Sequence, residues 1–514
     1  MTAVKASDRP PAVEMVGIHK RFGAVLANAD VNLTVAQGTV HGIVGENGAG
    51  KSTLMSVLYG FYSGDSGSIR VDGKPATIRN SHEAIALGIG MVHQHFMLVD
   101  TLSALENVML GAEPHVLLHK AEALVRTSLA TLMESTGLRV ELDALVADLS
   151  VGDRQRLEIL KALYRGARIL ILDEPTAVLT PQETEQLFGV LALLREKGTT
   201  ILLITHKLKE VMRLCDSVTV MRGGRVVQDV AIKDTSVESL AEAMVGRKVQ
   251  MGRQGDASMA PGAVLLKAHG VVVKDVLQVV RLHGFDVELR SGEIVGIAGV
   301  SGNGQSEVLE VLSGLLAPSA GEIVIGKTAF RAGAWMNPRM ARSLGVAHVP
   351  EDRHERAMVM SFEAWESAAL GYQWLPLYCH QGWMDHPQMI GATVDMMERF
   401  DVRPRNSHLM SASFSGGNQQ KLVLARELGQ VPGVLLVGQP TRGVDIGAIE
   451  FIYAQLRAMR DAGCAVLVVS SELDEILALA DRVIVMSQGR ISGELPISEC
   501  SEAQLGMLMI GGTT

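Results

Sequence analysis

An α/β fold of two tandem domains, each built on a mostly parallel sheet, is predicted by three features of this 514-residue sequence. Short apolar runs alternate with helical patterns, as in 169–172, then 181–197, then 200–204, which is the rhythm of βαβ units. Those runs are apolar throughout rather than alternating, as strands are when both sheet faces are covered. The second half of the chain also repeats the first, and on a prior of roughly 100–200 residues per domain the length accommodates two large domains.

Composition narrows the function classes. Hydrophobic residues make up 47% and charged residues 20%, which excludes a disordered chain. The mean hydropathy of +0.22 raises the question of a membrane span. The most apolar runs, such as 199–205 and 466–469, fall far short of the roughly 20 residues that crossing requires. The first eleven residues carry mixed charge and no apolar h-region, so no secretory signal is expected. A net charge of -9 argues against a nucleic-acid footprint, which needs clustered basic surface. Cys215, Cys379, Cys464 and Cys500 lack the spacing of a zinc ribbon or iron–sulfur run and suit a reducing cytoplasm.

The repeat is legible residue by residue. Gly38-Thr39-Val40-His41-Gly42-Ile43-Val44-Gly45 resembles Gly292-Glu293-Ile294-Val295-Gly296-Ile297-Ala298-Gly299, so that Lys51 aligns with Gln305 and, further on, Asp173 with Gly438. The spacing drifts by about ten residues between these pairs, the size of a surface-loop insertion. Such a long period marks a duplicated domain. Small and polar residues without apolar periodicity mark the join, giving a first domain at 11–247, a linker at 248–261 and a second domain at 262–510.

Gly45-Glu46-Asn47-Gly48-Ala49-Gly50-Lys51-Ser52-Thr53 fits the pattern G-x-x-x-x-G-K-S/T and lies between an apolar strand at 40–44 and a helical run at 54–58, where a P-loop belongs. Its glycines allow backbone N–H groups to curl around phosphates, and the helix N-terminus adds its dipole. Lys51 is placed to reach the terminal phosphates and Ser52 to hold Mg²⁺. A second apolar strand runs straight into Asp173-Glu174, putting two carboxylates in the crevice at the strand's carboxyl end. Asp173 is expected to act on the metal, and Glu174 to polarise the attacking water.

Leu149-Ser150-Val151-Gly152-Asp153-Arg154-Gln155 and Phe414-Ser415-Gly416-Gly417-Asn418-Gln419-Gln420 each resemble the LSGGQ signature of ABC ATPases. Gln94 and His206 stand at that family's Q-loop and switch-histidine stations, and Phe22 resembles the aromatic residue on which adenine stacks. The resemblance spans nearly the whole chain. It implies two tandem P-loop NTPase domains of the ABC ATPase type, each a RecA-like sheet with an antiparallel β subdomain and a helical signature subdomain. It also implies ATP and Mg²⁺ as cofactors, with Gln94 beside the metal. In ABC dimers each nucleotide lies between one domain's P-loop and the other's signature, which assigns Ser415, Gly416 and Gly417 to the nucleotide held by Lys51.

The second half departs at every chemical station. Gln305 replaces the lysine, Gly438-Gln439 replaces Asp173-Glu174, Glu351 stands for Gln94 and Ser471 for His206. No aromatic residue matches Phe22; the nearest aligned position is about Gln278. Since losing one preorganised group typically costs about 10²–10³ in rate, negligible hydrolysis is expected there. The first signature is damaged in turn, with Val151 at a Gly position, where a β-branched side chain bars close approach to phosphate, and Asp153 at a Gln position. Asp445 likewise accompanies the intact signature, whereas Thr180 takes its place in the first half. Intact groups therefore collect on one nucleotide and damaged ones on the other.

Val349-Pro350-Glu351-Asp352-Arg353, Gly417-Asn418-Gln419-Gln420-Lys421 and Gln439-Pro440-Thr441-Arg442-Gly443 resemble the ATP-binding subunits of bacterial simple-sugar and nucleoside importers. Met91-Val92-His93-Gln94-His95-Phe96-Met97-Leu98-Val99 looks like the nucleoside-type, lipoprotein-fed branch. That resemblance implies two integral membrane permease subunits, a periplasmic or lipoprotein solute-binding protein, no nucleic acid, and a peripheral position on the cytoplasmic face of the bacterial plasma membrane. The rival is a tandem ABC ATPase working on ribosomes or nucleic acid. That class usually keeps both P-loop lysines and a long basic linker.

Overall fold

The computed structural model describes residues 10–23, 25–93, 96–112, 118–176, 179, 181–248, 261–300, 302–444 and 446–509. The chain forms two compact units, Met1–Val249 and Gln250–Thr514.

The first unit opens with a hairpin, β1 (Val13–Phe22) and β2 (Val25–Val35), followed by β3 (Val40–Gly45) and α1 (Lys51–Leu58). Next come β4 (Ser66–Val71), β5 (Lys74–Ala76), α2 (Ser81–Ala86) and β6 (Ile89–Val92). A helical section follows, α3 (Ala104–Met109), α4 (Leu118–Thr136) and α5 (Val151–Tyr164). The chain then returns through β7 (Ile169–Asp173), α6 (Pro181–Glu196), β8 (Thr200–Ile204), α7 (Leu208–Leu214), β9 (Ser217–Arg222), β10 (Arg225–Ala231) and α8 (Val237–Val245). One sheet is antiparallel, in the order β2-β1-β4-β5; the other runs β10-β9-β3-β8-β7-β6, parallel except for its edge strand β10.

The second unit repeats this plan with β11 (Val264–Lys274), β12 (Val280–Arg290), β13 (Ile294–Gly299), α9 (Gln305–Leu312), β14 (Ala320–Ile325), β15 (Thr328–Arg331), α10 (Pro338–Ser343) and β16 (Val346–Val349). Its helical section holds α11 (Arg353–Arg356), α12 (Ala364–Ala369), a small hairpin β17 (Cys379–His380) and β18 (Trp383–Met384), α13 (His386–Arg399) and α14 (Gly416–Leu428). Then come β19 (Val434–Gly438), α15 (Ile446–Asp461), β20 (Ala465–Ser470), α16 (Leu473–Leu479), β21 (Arg482–Ser487), β22 (Arg490–Pro496) and α17 (Glu502–Met509). The sheet orders β12-β11-β14-β15 and β16-β19-β20-β13-β21-β22 match the first unit strand for strand.

Burial explains why these segments become strands. Every residue of β3, β7 and β8 is buried, as a parallel strand covered on both faces requires. In the first unit the core lies between the two sheets: Met15, Ile18 and Leu33 of the antiparallel sheet pack with Leu54, Met55 and Leu58 of α1 and with Ile43, Ile171 and Leu202 of the parallel one. This packing clamps α1 and the loop before it. Strand β3 departs for the far edge strand β6, and the chain works back until β8 and β9 flank it. The carboxyl ends of β3, β7 and β8 therefore converge at the switch point where such sheets bind ligands.

Candidate nucleotide site

The loop between β3 and α1 has the shape its sequence predicts. A Cβ on Gly45 would lie 2.3 Å from the Met221 carbonyl oxygen, and one on Gly50 2.2 Å from that of Ala27. Gly48 and Gly50 adopt φ of +81° and +95°, open to glycine at little cost. Gly50 caps α1, whose first residue is Lys51. The lysine is only 6% exposed, and its Nζ donates to the carbonyls of Gly45 at 2.7 Å and Glu46 at 3.0 Å. Asn47 and Gly48 form the exposed rim, Ala49 is buried beneath it, and Thr53 is half-buried in the first helical turn.

Asp173 ends β7 beneath that turn, and the Ser52 hydroxyl donates to its Oδ1 at 3.4 Å. Burial raises the Asp173 carboxyl above the ordinary range, the Ser52 bond opposes this, the Glu174 charge adds to it and Lys51 counters it. A hydroxyl and a carboxylate facing one another form the all-oxygen donor set that Mg²⁺ prefers. A carboxylate held back by burial gains most from a cation. The donor set fits the metal.

Glu174 takes a left-handed backbone at φ +47°, fixed by its N–H donating to the Ile204 carbonyl at 2.8 Å. This turn aims its carboxylate at His206, whose Nδ1 lies 2.9 Å from Oε1. Burial works against ionisation of Glu174, but the His206 bond and the charges of His206, Lys51 and Lys207 outweigh it and hold the carboxyl below its ordinary range. The structure thus brings together Gly45–Thr53, Asp173, Glu174 and His206. It also shows an unforeseen brace, the Thr176 hydroxyl on the Glu210 carboxylate at 2.8 Å.

Phe22 closes β1 and is 41% exposed, its ring edge-on to Tyr62 at 5.0 Å. The Lys20 ammonium lies 5.4 Å from the Phe22 ring centroid and is anchored by Asp65 at 3.0 Å. Gln94, Thr180 and Asp445 lie outside the described residues. Beyond Gln94, the Met97 backbone is pinned on both sides, its N–H to buried Glu158 at 2.7 Å and its carbonyl by Lys161 at 2.9 Å. The Met97 side chain is left exposed.

The second unit keeps this backbone and changes the chemistry. Gly304 adopts φ +100°, and the Gln305 amide donates to the Val300 carbonyl at 3.1 Å. Gln439 repeats the turn of Glu174 at φ +46°, with its N–H on the Val469 carbonyl at 2.8 Å. Its amide oxygen accepts from the Ser471 hydroxyl at 3.2 Å, an amide and a hydroxyl in place of carboxylate and imidazole. A Cβ on Gly438 would lie 2.4 Å from Glu351 Cγ, and Ser306 donates to the Glu351 carboxylate at 2.6 Å. Glu351 thus fills the space that an aspartate on β19 would occupy. Sequence reading missed this; the signal was a glycine at 438 together with an acid at 351.

The two signatures differ as their residues suggest. Ser150 caps α5, and its hydroxyl donates to the Asp153 carboxylate at 2.7 Å, which places an anion at that helix's start. Ser415 caps α14, which has no acidic residue in its first turn, and its hydroxyl oxygen accepts from the Asn418 amide at 2.8 Å. Gly416 admits no side chain, since a Cβ would lie 2.7 Å from both the Gly443 carbonyl and the Arg353 guanidinium. Arg353 donates to the Arg442 carbonyl at 2.8 Å and to Gln419 of α14 at 3.2 Å. The Val349–Arg353 motif thereby ties the signature helix to the segment after β19.

The family model described as ABC transporter matches residues 28–177 and 282–442. The chain is 42% identical to the nucleoside import ATP-binding protein NupA of Lactococcus lactis subsp. cremoris, over 97% of this chain and 98% of that protein. It is also 42% identical to the guanosine import ATP-binding protein NupO of Bacillus subtilis, over 98% of each. The ribose import ATP-binding protein RbsA of Chromobacterium violaceum is 37% identical, over 97% of this chain and 98% of that one. Among solved structures, the complex of the archaeal ribosomal stalk protein aP1 with the ribosome recycling factor aABCE1 aligns over 96% of this chain and 92% of that one, with a TM-score of 0.64 and 19% identity. At that identity the likeness shows the fold alone. With a match in each half and similarity along nearly its whole length, this chain belongs to the ABC transporter family.

Proposed function

We propose that this protein is the ATP-hydrolysing subunit of a membrane importer and that its solute is a nucleoside. The observation that carries the reading is the convergence of Lys51, Ser52, Asp173, Glu174 and His206 at one switch point, in a chain 42% identical to nucleoside and guanosine import proteins along its length. Phe22 stacks on the adenine. The loop 45–53 and the ammonium of Lys51 hold the phosphates. Ser52, Asp173 and Gln94 would hold Mg²⁺, which would supply positive charge against the phosphates. Glu174, ionised at neutral pH, accepts a proton from the attacking water, while His206 holds the carboxylate in place.

Ser415, Gly416 and Gly417 are assigned to the nucleotide held by Lys51 on the pattern of ABC dimers, in which one domain's signature meets another's P-loop in the closed state. Because those contacts exist only in the closed state, ATP shifts the equilibrium toward closure by its differential affinity, and hydrolysis releases it. The segment beginning at Gln94 passes this motion to two permease subunits, which are fed by a periplasmic or lipoprotein solute-binding protein. The ATPase works at the cytoplasmic face of the membrane. No helix among the described residues is long and apolar enough to cross a bilayer, in keeping with a peripheral subunit. The mismatch of Gln305, Gly438 and Ser471 with the first half speaks against the ribosome-associated alternative.

The deciding measurement is ATPase activity of the reconstituted permease complex with its binding protein, across a panel of nucleosides and simple sugars. Stimulation by nucleosides is expected. Stimulation by ribose or glucose alone would reassign the solute, and indifference to every solute in the presence of polysomes or nucleic acid that do stimulate would remove the transport reading.

A further inference from the structure

We propose that Asn28 is a positioning residue for the nucleotide loop of the first half, holding the Gly50–Lys51 peptide so that its N–H faces the phosphates. The inference rests on the reading of the Lys51 loop as the ATP site.

Asn28 lies on β2 directly under that loop and is fully buried. Its Nδ2 donates to the Gly50 carbonyl at 3.1 Å, an oxygen that also accepts from Leu54 N–H in the first turn of α1 at 2.9 Å. Because that carbonyl can only accept, the orientation of the amide is settled, and Asn28 Oδ1 is left buried without a partner among the described residues. A buried carbonyl without a donor works against folding. An apolar side chain of similar size would fold better here, so the local gain must come from the bond to Gly50.

The geometry of the peptide supplies that gain. In a planar trans peptide the carbonyl of Gly50 and the N–H of Lys51 point in opposite directions. Holding the oxygen down toward β2 therefore aims the N–H up into the cradle, and a donor on the oxygen polarises the group further. The same strand fastens the loop at a second point: Ala29 N–H donates to the Gly224 carbonyl at 2.8 Å, and Gly224 N–H to that of Ala49 at 3.1 Å.

The second half supplies the contrast. Gly304 has the same left-handed backbone as Gly50, but the side chain beneath it is Leu282, whose Cδ2 would lie 2.7 Å from a Cβ built on the glycine. Leu282 is fully buried and has nothing to donate. The half with the lysine carries a polar strut under its loop, and the half with Gln305 carries an apolar filler.

The test uses the full chain with Asn28→Leu, Asn28→Asp, Leu282→Asn and Lys51→Ala. Asn28→Leu is expected to melt no lower than the parent protein, because the orphaned carbonyl is gone. Its dissociation constants for MgADP and MgATP and its KM for ATP should rise about tenfold, the loss of one buried hydrogen bond, with kcat within about threefold. Asn28→Asp, which keeps the shape but sets an acceptor against the Gly50 oxygen, should weaken binding at least as much. Leu282→Asn should leave KM and kcat unchanged. Unaltered affinity in Asn28→Leu beside a collapse in Lys51→Ala overturns the inference alone. So does a melting temperature that falls in step with affinity, an insoluble Asn28→Leu chain, or an effect confined to kcat. Full ATP affinity and turnover in Lys51→Ala would instead remove the site reading on which the proposal stands.

Discussion

Glu174 shows how much of this site depends on the placing of one carboxylate. Its left-handed φ of +47° is uncommon for a residue with a side chain, and it turns the carboxylate from the end of β7 toward His206. Burial alone would favour the protonated form; the His206 bond and the nearby cations reverse that, so the group is ready to accept a proton at neutral pH. Glu174→Gln keeps an oxygen for His206 and nearly the same volume but removes the base. Steady-state ATPase should fall roughly 10²–10⁴-fold with the melting temperature unchanged and ATP retained on the protein. Turnover at the parental rate would show that the base lies elsewhere. Gln439 makes this exchange naturally, with the same backbone turn and a Ser471 partner.

The elements carry the asymmetry between the signatures. A helix N-terminus favours an anionic ligand through its unpaired N–H groups and dipole, and α5 spends that advantage on Asp153 while α14 has no acid in its first turn. Ser415→Ala should therefore lower ATP turnover by about tenfold or more and Ser150→Ala by less than about twofold, consistent with the loss of one phosphate hydrogen bond. Equal effects in parallel kinetic runs would contradict the assignment of Ser415 to the Lys51 nucleotide. Strand β3 gives a second prediction. His41 is buried between Thr219 at 2.7 Å and Ser217 at 2.8 Å, and burial, opposed by Asp229, pushes it down from 6.5 to about 4. The unfolded chain binds that proton near 6.5 and the folded one only near 4, so stability is full above 6.5 and is lost as pH falls toward 4, by roughly 3 kcal/mol. Thermal melts of the first unit across that window should show the decline. His41→Val, which installs the residue found at Val295 in the second half, should flatten it.

At the scale of the whole molecule, one architecture appears twice with the same strand order, yet the residues proposed to carry the chemistry stand in one copy. Gln305 lacks the ammonium, Ser306 is engaged by Glu351, and the turn at Gln439 offers no base. Gln305→Ala should leave ATPase within about twofold of the parent chain, whereas Lys51→Ala should remove it by about 10²-fold or more. Comparable losses in the two variants would mean that both halves turn over.

What was legible in the sequence was whatever lies along a single strand-to-loop-to-helix passage. Gly45–Thr53 and Asp173–Glu174 were readable because a buried parallel strand is a continuous apolar run and because phosphate chemistry requires its residue types side by side. The duplication, and the loss of the lysine and both carboxylates from the second copy, followed from aligning those short stretches. Tertiary structure alone decided the pairings made across the sheet: Glu174 with His206, Asn28 under Gly50, Glu351 in the space left by Gly438, and Arg353 between Gly443 and α14. These partners are brought together by strand order and by room for a side chain. Neither leaves a period in the sequence, since a contact between distant residues depends on the fold of everything between them.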